Sequence, residues 1–69
     1  MADPRLVSEL KKIRTAAGLT QAELADRAGV SRKTINTVEN GVFVPSTVLA
    51  LSLARVLGTT VERLFWLAE

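Results

Sequence analysis

The chain has 69 residues, enough for one small domain, and a domain of that size buries only about 60% of the surface its unfolded form exposes. Nine Lys and Arg against seven Asp and Glu leave a net charge of +2, well short of a charged disordered tail. With no Cys and no His, disulfides, thiolate zinc sites and the commonest general base are excluded, and no metal or cofactor is expected.

Helical periodicity runs nearly from end to end. Asp3 and Pro4 offer an N-cap and a preset first helical position, and Leu6, Val7, Leu10, Ile13 and Ala17 follow at helical spacing. This predicts a first helix over about 4–17, closed by Gly18 in a left-handed conformation. Thr20 and Glu23 form a capping box that opens a second helix over 21–28, ended by Gly29. Ser31 caps a third over 32–39, with Ile35 and Val38 on one face and Asn40-Gly41 as its stop. These three helices leave no room for strands in the first 41 residues. Val42-Phe43-Val44 is β-prone but stands alone before Pro45, and is expected to be a buried loop. Ser46 opens a fourth helix over 47–57, apolar on most sides with Arg55 as its one charge, hence the expected central core helix. Gly58 ends it, and Thr59 or Thr60 caps a fifth over 61–67.

The fold class that follows is all-α, a compact five-helix bundle forming one domain over 1–69. No apolar run approaches the ~18 residues of a membrane span, and Met1-Ala2-Asp3-Pro4 lacks a basic-then-apolar signal pattern. A cytoplasmic protein is the expectation.

The informative stretch is Thr20 to Gly41, two short helices around Ala28-Gly29-Val30-Ser31. A helix-turn-helix needs a Gly in the turn, a small residue at the helix crossing and apolar residues to lock the angle; Gly29, Ala25 and the set Val30, Ile35 and Val38 supply them. With the core direction taken midway between Ile35 and Val38, Lys33, Asn36, Thr37 and Asn40 lie about 130° or more away, with Arg32 at the flank. That outer face holds cations, amides and a hydroxyl, and Glu39 lies toward the flank. Such side chains suit base edges: Arg or Lys to guanine, Asn to adenine, Thr to the thymine methyl.

Thr20-Gln-Ala-Glu-Leu-Ala-Asp-Arg-Ala-Gly-Val-Ser31, Thr34-Ile-Asn36, Val38-Glu-Asn-Gly41, Pro45-Ser46 and Ala54-Arg-Val-Leu-Gly58 resemble the phage repressor/Cro-type (XRE-like) helix-turn-helix family of bacterial, archaeal and phage regulators. The resemblance covers residues from about 5 to 65. It implies a lambda-repressor-like five-helix domain binding double-stranded DNA as a homodimer on a palindromic operator, most simply as a repressor, nucleoid-associated when bound. Position by position, it makes Ser31, Arg32, Lys33 and Thr37 base-reading residues, with Asn36 at a variable position of the same face. It makes Arg14, Gln21, Thr34 and Asn40 phosphate contacts, and Arg14 with Glu39 also an ion pair close to the DNA backbone. Arg32-Lys33 departs from the paired Gln of well-known members, which points to more guanine or phosphate contact.

The C-terminal segment gathers Val61, Leu64, Phe65, Trp66 and Leu67. Phe65 is expected in the core, while Leu64, Trp66 and Leu67 are expected at a dimer interface within about 60–69, since aromatics are enriched at such surfaces. The high apolar content, 48%, also points to surface covered by a partner. Two other classes compete. Ser8-Glu-Leu-Lys11 matches a Ser-x-x-Lys pattern, but it stands without a companion motif, so an enzyme is not expected. A protein-interaction or antitoxin module using the same fold is the alternative. No small-molecule ligand or membrane contact is evident in the pattern.

Overall fold

In the computed structural model, which describes residues 5–68, three helix starts obey one local rule. The hydroxyls of Thr20, Ser31 and Ser46 each accept the backbone N–H three residues on, from Glu23 at 3.1 Å, Thr34 at 3.2 Å and Leu49 at 3.1 Å. Each bond satisfies a donor that the first helical turn leaves without an internal partner. The helices so opened are α2 (Gln21–Ala28), α3 (Arg32–Glu39) and α4 (Thr47–Leu57). Two of them close alike: Gly29 and Gly58 take positive φ, 73° and 66°, and the next N–H turns back to the carbonyl of Ala25 or Ala54. A side chain at that φ would be strained, so glycine decides where the chain turns from α2 into α3.

The two ends of the chain depart from a purely helical reading. Arg5–Ser8 is a strand, β1, paired antiparallel with β2 (Phe65–Ala68) in the register Arg5 to Ala68, Leu6 to Leu67, Val7 to Trp66 and Ser8 to Phe65. The first helix, α1, therefore spans Leu10–Ala16 instead of starting at residue 4, and α5 spans Val61–Leu64 instead of reaching 67. The Asp3–Pro4 cap lies outside the described residues. Pairing satisfies backbone groups that frayed helix ends would leave to water, and it sets branched Val7 directly opposite aromatic Trp66 across the ladder. The spacing from Leu6 to Leu10 fits a helix, but Leu6 also fits strand alternation, and a four-residue run does not separate the two by period alone. The Glu9 N–H donates to the Leu64 carbonyl at 2.8 Å, which joins the start of α1 to the end of α5.

The core lies among α1, α2, α3, α4 and α5. Leu10, Leu24, Ile35, Leu53 and Leu64 have no exposed surface, and Val38, Ala25 and Phe65 close around them. A two-stranded sheet is marginal alone, and Phe65 anchors this one to the core. Helix α4 gives Leu49, Ala50, Leu53 and Ala54 to the interior but leaves Val48 and Leu51 in solvent, so it is central on one side only. The Val42–Val44 segment is exposed, with Val42 at 79%, instead of buried. The Val42 and Phe43 N–H groups both donate to the Thr37 carbonyl, at 3.0 and 3.2 Å, which satisfies the backbone at the end of α3 and leaves the side chains outside.

Candidate nucleic-acid interface

Helices α2 and α3 meet across Gly29-Val30 with Ala25 buried at the crossing and Ile35 and Val38 facing inward. The inward pair sets the rotation of α3 and hence what it presents outside. Arg32, Lys33, Asn36 and Asn40 are exposed and Thr37 is half-buried beside them. Gln21, Arg32, Lys33 and Asn36 line one shallow hollow, and Thr20, Gln21, Ala22 and Arg32 share a neighbouring one with Arg14. The start of α2 and the outer face of α3 thus form one surface. In the first turn of α2 the capping box engages the Thr20 and Glu23 N–H groups and leaves those of Gln21 and Ala22 outside the helical ladder, at the positive end of the dipole.

Behind this surface runs a polar network. Arg14, only 8% exposed, donates from Nε to Glu39 Oε2 at 2.6 Å and from Nη2 to Glu39 Oε1 at 3.3 Å. Its Nη1 donates to the Leu19 carbonyl at 2.8 Å. The pair ties α1 to the end of α3, and bidentate geometry makes it directional as well as attractive. Gln21 Nε2 donates to Glu39 Oε1 at 2.9 Å and to Asn36 Oδ1 at 3.2 Å, and Asn40 Nδ2 donates to the same Asn36 oxygen at 3.2 Å.

These bonds revise two expected roles. The Arg14 guanidinium is buried and engaged on each of its three nitrogens, so the structure gives it a supporting place behind the surface. Both protons of the Gln21 amide are committed, so what Gln21 offers an anion is its backbone N–H at the start of α2. Ser31 and Thr34 share a hydroxyl–hydroxyl bond of 3.0 Å at the start of α3. The Thr37 hydroxyl donates to the Thr34 carbonyl at 2.9 Å, so its proton is engaged within α3.

Val42 and Phe43, expected from the sequence only as a buried loop, join Lys33, Thr34 and Thr37 around a third hollow. Their position just after α3 was the available signal. Glu39 was placed on the flank, yet it is the acceptor on which Arg14 and Gln21 converge. In the sheet, Trp66 and Leu67 are 42% and 59% exposed, whereas Leu64 is fully buried in this chain's own core and offers nothing to a partner. Among the described residues, no group of His, Cys, Asp or Glu is placed to hold a metal ion, and no helix is long and apolar enough to cross a membrane.

Comparison with known proteins matches this architecture. A family model described as "Helix-turn-helix" matches residues 10–64. The chain is 36% identical over 62 residues to the HTH-type transcriptional regulator YgzD of Bacillus subtilis, covering 90% of this chain and 94% of that one. It superposes with a TM-score of 0.73 on the restriction-modification controller protein C.AhdI from Aeromonas hydrophila, at 38% identity over 77% of this chain and 80% of that one. It also superposes with a TM-score of 0.72 on SinR, a master regulator for biofilm formation whose structure was solved in complex with DNA, at 28% identity over 77% and 86% of the two chains. With its capped α2, glycine turn and outward-facing α3 in place, the chain belongs to the phage repressor/Cro-type helix-turn-helix family of DNA-binding transcription regulators.

Proposed function

We propose that this regulator acts as a homodimeric repressor, setting α3 into the major groove of a palindromic operator on the nucleoid of the cytoplasm. The observation that carries the reading is the outer face of α3, where Arg32, Lys33, Asn36 and Thr37 stand with no carboxylate among them, next to the start of α2. An ordinary solvated helix face mixes acidic residues among its cations. In this reading Ser31, Arg32, Lys33, Asn36 and Thr37 meet base edges, while Thr34, Asn40 and the Gln21 N–H meet phosphates. Self-association through the C-terminal end is supported by apolar surface left in solvent. Leu67 pairs with Leu6 across the sheet, and Leu6 lines an open hollow of about 370 Å³ with Val44, Leu51 and Phe65.

Electrophoretic mobility at two salt concentrations tests the reading. A chain neutralising ~6 phosphates loses affinity steeply, with a slope near −0.9 per contact in log K against log salt. A protein-interaction or antitoxin module that ignored duplex DNA would show no such slope. Arg32→Ala is expected to lose about 1–3 kcal/mol and to relax preference at one operator position. Equal loss on every sequence would remove Arg32 from the base-reading set.

A further inference from the structure

The network behind α3 has a chemical direction. Glu39, engaged by the Arg14 guanidinium, can only accept hydrogen bonds. The nitrogen end of the Gln21 amide must therefore face it, and that nitrogen reaches Asn36 as well. Only the oxygen end of Asn36 can meet a donor there, and the Asn40 nitrogen closes on the same oxygen. The buried acid thus orders three amides in turn, and the last consequence falls on the exposed surface. The Asn36 carbonyl is engaged by two donors, and its –NH₂ is the group left for DNA.

We propose that Asn36 is a specificity-determining residue that reads its base as a hydrogen-bond donor only, and that this base is guanine, with Gln21 as the residue that positions it. The proposal rests on the reading of α3 as the helix in the groove. An unconstrained Asn pairs with adenine by giving a proton to N7 and accepting one from the N6 amino group. With its carbonyl held by Gln21 and Asn40, Asn36 keeps the donor half of that pattern and loses the acceptor half. Adenine would then set its own amino protons against those of Asn36. Guanine presents two acceptors side by side, O6 and N7, to the same –NH₂ group. Cytosine offers a donor, and thymine one acceptor beside a methyl group. The ordinary Asn–adenine expectation for this position is reversed by a contact from the neighbouring helix.

The test is selection of bound duplexes from a randomised library with the full chain, followed by titration of single-base variants of the best site. Comparing Asn36→Ala with the unaltered protein identifies the position Asn36 reads; its exposed place on a helix favours folding of the variant, and circular dichroism confirms it. At that position the unaltered protein is expected to prefer guanine over adenine by about tenfold, falling to within about threefold in Asn36→Ala. Replacing that guanine with 7-deazaguanine, which lacks N7, should weaken the unaltered protein and leave Asn36→Ala unchanged. Gln21→Leu removes one of the two donors that hold the carbonyl and leaves Asn40 as the other; freeing one lone pair should raise adenine relative to guanine at that one position, a shift that general loss of structure would not produce. Adenine preference in the unaltered protein, or sequence-selective binding with no position sensitive to Asn36, overturns the proposal and leaves the DNA-binding reading standing. Absence of binding to any duplex overturns that underlying reading as well.

Discussion

Arg14 and Glu39 sit 25 residues apart in sequence and meet at 2.6 Å under the surface that α2 and α3 share, with side chains 9% and 2% exposed. Taking two charges out of water is costly, so such a pair adds little net stability over a well-packed apolar pair, but loss of one partner strands the other. Arg14→Met is accordingly expected to cost about 3–5 kcal/mol in urea unfolding, a large share of what a domain of this size possesses. Arg14→Met combined with Glu39→Leu should recover much of that loss. If the double variant were as unstable as the sum of the single ones, the stranded-charge account would fail. The double variant also removes the acceptor that orders Gln21, so recovered stability need not bring recovered base preference. The sequence suggested this pair only through a resemblance, because nothing in the local pattern of α1 or α3 says that residues so distant will meet. The outward set on α3 was legible from Ile35 and Val38 alone, since helical geometry fixes the opposite face once the inner one is known. What each outward group does was less legible. Polarity at Asn36 and Thr37 depends on hydrogen bonds that a rotation angle does not contain.

Among the elements, α2 was the most readable because its boundaries are written in side chains. Thr20 and Glu23 cap each other, the Thr20 N–H donating to Glu23 Oε1 at 3.0 Å and the Glu23 N–H to Thr20 Oγ1 at 3.1 Å. The bond from the Thr20 backbone N–H, then that involving the Thr20 side chain, holds the Glu23 carboxyl below the usual carboxylate range, with Arg27 adding a smaller pull. A carboxyl whose folded pKa lies below its unfolded one stabilises the fold above the unfolded value, near pH 4, and loses that contribution as pH falls through the folded value. Glu23→Gln should therefore be less stable than the unaltered chain at pH 7, and the gap should narrow as the pH drops below about 4. A gap in urea midpoint that stays constant from pH 7 to pH 3 would show that the ionised form is not what matters. The strands were the least readable elements. Leu6-Val7 and Phe65-Trp66-Leu67 are each too short to declare a period, and their pairing is a contact between the two ends of the described chain. Two β-prone runs of similar length near opposite ends were the signal available, but register becomes visible only once the ends are brought together by the bundle between them.

At the scale of the whole molecule, a net charge of +2 is too small to hold DNA by bulk attraction, so binding must come from where the charges sit and how many copies of the surface act together. In the proposed reading, one copy of α3 meets a few base pairs. Two copies related by a two-fold axis, with recognition helices roughly 34 Å apart, read successive major grooves on one side of the duplex. Apolar surface available for such an axis lies on the sheet, where Trp66 and Leu67 are exposed on opposite faces. If the proposed homodimer forms through this sheet, Trp66→Ala with Leu67→Glu sediments at half the mass of the unaltered protein. Its affinity for a full palindrome should fall toward that for a single half-site, while half-site affinity itself changes little. The salt dependence gives the sharper reading. If the two copies neutralise phosphates independently, the slope of log K against log salt on the palindrome should fall by about half when the dimer is split, because each phosphate contributes about −0.9 and half of the contacts leave together. A variant that sediments like the unaltered protein would move the axis off the sheet, with exposed Val48 and Leu51 on α4 the next surface to alter. A variant that splits while keeping the full slope would mean that one copy already makes every phosphate contact, and that the second copy supplies sequence reading alone.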